Sequence, residues 1–79
     1  MIKKEMIKVI QQHDAELFLQ LKVDESVFGE DHTITKSSRT RWCGVNDLME
    51  KLGIKPDNTL PENQEAIRLI IERNKNIAA

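Results

Sequence analysis

Cys43 is the only cysteine in a chain of 79 residues, so no disulfide within the chain can staple the fold and a hydrophobic core has to hold it. A domain of this size hides only roughly 60 to 65% of the surface its unfolded chain exposes. Such a core leaves about 3 to 5 kcal/mol of net stability unless a metal or a second subunit adds to it. One thiol also fits a reducing compartment, and the cytoplasm is the expected location. Lys3, Lys4, Glu5 and Lys8 interrupt the apolar residues at the N-terminus, so no secretory leader is expected there. Strongly apolar residues never run beyond three, as in Leu17-Phe18-Leu19 and Leu69-Ile70-Ile71, whereas a membrane span needs about 20. No membrane partner is expected.

The spacing of the apolar residues points to helices. From Ile2 they fall at 2, 6, 9, 10, 17 and 21, one face of a 3.6-residue period. After Asp14 two patterns fit, because Leu17, Leu19, Leu21 and Val23 also alternate with polar or bulky neighbours as a half-buried strand would. Ala15, Glu16, Gln20 and Lys22 favour helix, and a first helix ending near Leu21 or Lys22 is expected, with Leu19 turned outward. Residues 23–37 read as a connection. A short β-hairpin pairing Val27-Phe28 with Thr33-Ile34-Thr35 would shorten it, which keeps an α+β fold as the alternative.

A second helix is expected to start near Ser38 to Thr40, or at Asn46, from the spacing of Trp42, Val45, Leu48, Met49 and Leu52. Gly53 closes it, Ile54 packs back on Met49, and Pro56 forbids resumption. Thr59-Leu60-Pro61-Glu62 follows the capping-box pattern for a third helix, striped by Ala66, Ile67, Ile70 and Ile71 and reaching toward Ile77, with fraying from Asn74 onward. No repeat or linker divides the chain. The predicted fold is therefore mostly α: residues 1–79 as one small three-helix domain, with an N-terminal helix laid across an αα-hairpin spanning residues 40–73.

Net charge is only −1, but its distribution is uneven. Residues 1–13 carry Lys3, Lys4 and Lys8 against Glu5; residues 14–31 carry six acids against Lys22; residues 32–41 carry Lys36, Arg39 and Arg41 alone. An acidic segment thus runs directly into a basic one, and each can attract the other or an oppositely charged partner. The fragment from Lys36 to Trp42 combines two arginines, three hydroxyls and an aromatic. Those groups suit phosphate, and Arg and Trp are also the usual anchors of protein interfaces. The alternative is a solvated turn with Trp42 in the core.

No assembled chemistry stands beside it. His13, His32 and Cys43 are 19 and 11 positions apart without a nearby paired ligand, so neither metal nor cofactor is expected. Cys43, beside Arg41 and Trp42, reads as a small, partly buried apolar residue. The three glycines form none of the phosphate-cradling motifs. Residues 45–54, Val-Asn-Asp-Leu-Met-Glu-Lys-Leu-Gly-Ile, resemble the opening of a helix-turn-helix, which would imply DNA binding by the helix that follows. The chain then departs from that family: Lys55-Pro56-Asp57-Asn58 lengthens the turn, Pro61 enters the recognition helix, and Glu62 and Glu65 would face phosphates.

The leading expectation is a small non-enzymatic regulatory protein, of inhibitor or adaptor type. It would bind another protein through a charged surface around residues 24–42, with Glu30, Asp31, Lys36, Arg39, Arg41 and Trp42 as contact residues. The alternative is a DNA- or RNA-binding regulator using Lys36, Arg39 and Arg41. A monomer is expected, with a homodimer through Leu19, Phe28 and Leu69 as the other state.

Overall fold

In the computed structural model, residues 3–78 are described, with side-chain surroundings for residues 3–75; Ile2 and Ile77 lie outside the described side chains. Three helices, α1 (Lys4–Phe28), α2 (Thr33–Leu52) and α3 (Pro61–Ala78), make up the fold, and the described residues contain no strand. The hairpin expected within residues 15–37 is therefore replaced by helix. α1 runs unbroken past Lys22 to Phe28, and α2 starts at Thr33 rather than near residue 38.

Side-chain bonds within α1 and across to α2 explain why the turn-forming residues stay helical. Asp24 is buried and accepts from Gln20 one turn back and from Ser38 Oγ of α2. Ser26 turns its hydroxyl onto the Lys22 carbonyl, and Thr35 Oγ1 donates to the Asp24 carbonyl oxygen at 3.2 Å. α1 stops only at Gly29, whose φ of 87° an L side chain would resist. His32 then caps α2, its Nδ1 accepting from the Ile34 amide at 3.1 Å while its ring stacks on Phe28. The β-branched run at residues 33–35, which reads as strand in isolation, becomes the first turn of α2.

The end of α2 is as the sequence suggests. Gly53 is left-handed, with φ of 72°, its amide bonds to Glu50 O, and the Ile54 amide reaches Met49 O at 2.8 Å. Ile54 and Met49 are both buried. The capping box does not form. The Thr59 amide is taken by the Asp57 carboxylate, Glu62 Oε1 accepts from Gln12 of α1 instead, and Pro61 opens α3 at a position where no amide is missed. α3 is helical to Ala78.

α1 is the central helix. Among the described residues α2 and α3 each pack on α1 and not on one another, so the αα-hairpin is α1–α2, not residues 40–73. α2 runs antiparallel to α1, pairing Asp24 with Ser38 and Asp14 with Trp42. α3 runs parallel to it, pairing Gln12 with Glu62 and Glu25 with Arg73. Near the start of that contact Ala15 and Ala66 are fully buried, small residues that let the helix axes approach. Among the described residues the buried apolar core is only Ala15, Leu21, Met49, Ile54 and Ala66, alongside the buried polar residues Asp14, Asp24, Thr35 and Asn63. Its extents are 47 × 25 × 15 Å, so the molecule is little more than one layer of helices each about 10 Å across.

Candidate functional site

Because α2 and α3 flank α1 without meeting, they leave a groove floored by α1. Lys22 and Glu25 form its floor, Arg39 of α2 lines one side, Ile70 and Arg73 of α3 line the other, and Glu30 stands at the end. Its volume is about 490 Å³. Glu25 is the hub, with a side chain only 8% exposed and bonded to Arg73 at 2.9 Å, Lys22 at 3.3 Å and Arg39 at 3.8 Å. Arg73 forks, its second nitrogen lying 2.7 Å from Glu30. Three cations from three helices thus converge on one buried carboxylate, a network worth more than isolated surface pairs because its centre is shielded from water.

The aromatic residues continue this seam. Phe18 and Trp42 pack with ring centroids 5.1 Å apart, and the Lys22 ammonium lies 5.5 Å from the Phe18 ring centre. Trp42 Nε1 donates to Asp14 Oδ1 at 3.0 Å. Asp14 is 2% exposed. Burial pushes its carboxyl above the ordinary 3.8, against the opposing pull of hydrogen bonds from Trp42 and Asn46 and of the nearby His13.

The expected contact residues are therefore only partly assembled. Glu30, Asp31 and Arg39 border the groove, and Trp42 is half-buried in the α1–α2 seam. Lys36 is exposed. Arg41 is exposed too, but lies about 200° around α2 from Arg39 and lines a separate hollow with Gln20, Asp24, Ile34, Ser37 and others. Sequence reasoning missed Lys22, Glu25 and Arg73. Their opposite charges were visible, but the fact that α3 runs parallel to α1, which brings Arg73 beside Glu25, has no local signature.

Two further expectations fail on geometry. Cys43 is exposed rather than partly buried. The phrase at residues 45–54 is the last half of α2 and its cap, and the lack of packing between α2 and α3 denies it the paired helices of a helix-turn-helix. No helix among the described residues is long and apolar enough to cross a membrane. The chain matches no family model, and no curated protein or solved structure is found to be similar to it.

Proposed function

We propose that this chain is a small, non-enzymatic regulatory protein that acts by docking on another protein, with the charged groove between α2 and α3 as the docking surface. The observation that carries the reading is the convergence of Lys22, Arg39 and Arg73 on Glu25, bordered by the acidic rim of Glu30 and Asp31. Charges of both signs held at fixed positions beside the half-buried Leu69 and Ile70 select a partner by electrostatic complementarity and speed the encounter. Lys36 widens the basic side, and Trp42 braces it from beneath through Phe18 and Asp14. The proposed contact set is thus Glu30, Asp31, Lys36 and Arg39, with Trp42 in a supporting place. Arg41 belongs to the opposite side of α2.

The test is capture of partners from a nuclease-treated extract of the native host, comparing the wild-type chain with Asp31→Lys and Lys36→Glu. Both residues are exposed and have no ion pair among the described residues, so both variants should keep the wild-type circular dichroism. A protein that survives nuclease and binds either variant about tenfold more weakly, with reduced salt dependence, supports the proposal. Material removed by nuclease, or binding indifferent to both charges, rejects it.

A further inference from the structure

The side of α1 turned away from the groove carries an exposed stripe of valines interrupted by Glu16 and Gln20. Val9, Val23 and Val27 lie within about 40° of one another around α1, as Ile34, Leu48 and Leu52 do around α2, and all six are among the exposed large hydrophobics, Val9 at 69% and Val27 at 67%. These two stripes adjoin, because Gln20 of α1 and Ile34 and Arg41 of α2 line one shared hollow. The antiparallel α1–α2 pair therefore presents a single flat face with an apolar cluster at each end.

The spacing on that face is seven residues. Val9, Glu16 and Val23 repeat at this interval along α1, and Ile34, Arg41 and Leu48 repeat at it along α2. Residues seven apart return to the same side of a helix and meet a neighbour packed alongside it, and a polar residue within such a seam sets register and partner. Here the middle position is acidic on one helix and basic on the other. Glu16 and Arg41 are both exposed, and neither has an ion pair among the described residues.

The surface area fits the same picture. The chain exposes 5781 Å², where a compact monomer of 9.1 kDa would expose roughly 4,900 Å². Its radius of gyration is 13.6 Å, against roughly 11.6 Å for a compact domain of this length. The excess of roughly 900 Å² belongs to the thin one-layer shape as a whole, and it is of the same order as the roughly 800 Å² that each partner contributes to a stable interface.

We infer that the chain forms a symmetric homodimer in which the outer faces of α1 and α2 pack on those of a second copy as a four-helix bundle, with Arg41 of each copy opposite Glu16 of the other. A two-fold axis lying in the plane of the face sets apolar cluster on apolar cluster and middle on middle. Self-complementary charge is what selects a second copy over an unrelated apolar partner. The groove with Glu25 faces away from this contact, so the dimer carries two grooves on its outer sides. This inference does not rest on the proposed function, since it is read from the purified chain alone.

Sedimentation velocity of the full chain over a wide concentration range is the test. A species of twice the chain mass is expected for the wild type. Val9→Glu and Leu48→Glu, each burying an unpaired charge, should weaken it by roughly a hundredfold or more with circular dichroism unchanged. Glu16→Arg and Arg41→Glu should each weaken it roughly 3- to 10-fold, and the double exchange should recover most of the loss. A wild-type monomer throughout overturns the inference, and so does a dimer indifferent to Val9→Glu and Leu48→Glu. Additive weakening without recovery in the double exchange rejects the symmetric pairing of Glu16 with Arg41.

Discussion

The two faces of α1 solve opposite problems. On the groove side its charges are answered from within the chain: Glu25 takes Lys22, Arg39 and Arg73, and the seam beside it holds Asp14 against Trp42. On the outer side Val9, Val23 and Val27 are left exposed to water, Val9 and Val27 by about two-thirds. Directed polar bonds define one arrangement of helices but add little stability, while apolar area adds stability without direction. The small core follows from this division, because the polar side fixes the fold and much of the apolar side is left for a second surface.

Substitutions on the two faces should separate accordingly. The largest effect is expected from Leu21→Ala, which empties a buried site at the centre of α1 and should cost about 2 to 5 kcal/mol in urea denaturation; a cost below 1 kcal/mol would show that the α1 seam is not the core. Next comes Asp14→Ala, which leaves the Trp42 indole N–H without its acceptor and should cost about 1 to 3 kcal/mol. Asp14→Asn keeps an acceptor and should cost less.

The same carboxyl gives the groove side a pH signature. Its folded value is raised by burial, so the folded state holds the proton more tightly than the unfolded chain. The contribution is complete below the ordinary 3.8 and is lost as pH rises through the raised value. Wild-type stability should therefore contain a component that falls with rising pH from the mildly acidic range, followed by the fluorescence of Trp42, the only tryptophan. Asp14→Asn should remove that component; the same component surviving in Asp14→Asn would assign it to another group.

Smaller still is Arg73→Ala, which takes one of three cations from Glu25 and should cost about 1 kcal/mol, since Lys22 and Arg39 remain. On the outer face, Val27→Ser should change the stability of the separated monomer by about 0.5 kcal/mol or less, because the residue is already in water. A large monomer loss there would erase the distinction between the faces.

Which parts were legible in the sequence follows the same split. Local signals held. The helix of the first turns, though Met6 and Val9 of its stripe stay exposed, and the stop at Gly53, with Ile54 folding back on Met49, are set within a few residues and appear in the structure. Residues 23–37 do not read as helix, because Asp24 and the β-branched run at 33–35 carry turn and strand propensities that tertiary bonds override. Thr59 and Glu62 spelled a capping box, but Asp57 and Gln12 compete for the same groups from nearby and from α1.

For the candidate site, the acidic-to-basic junction was visible and its members Glu30, Asp31 and Arg39 do border one groove. Arg41 stands two residues from Arg39 in sequence, but helical rotation sends it to the other face. Glu25 was one acid among six in its segment, and its place at the hub depends on the parallel course of α3.

The difference between the two faces is tested most directly by isotope-filtered NMR on a mixture of labelled and unlabelled chains. Contacts between chains are expected from the methyl groups of Val9, Val23, Ile34 and Leu48, and none from Leu69 or Ile70 beside the groove. Contacts centred on the groove, or no contacts between chains at any concentration, would contradict it.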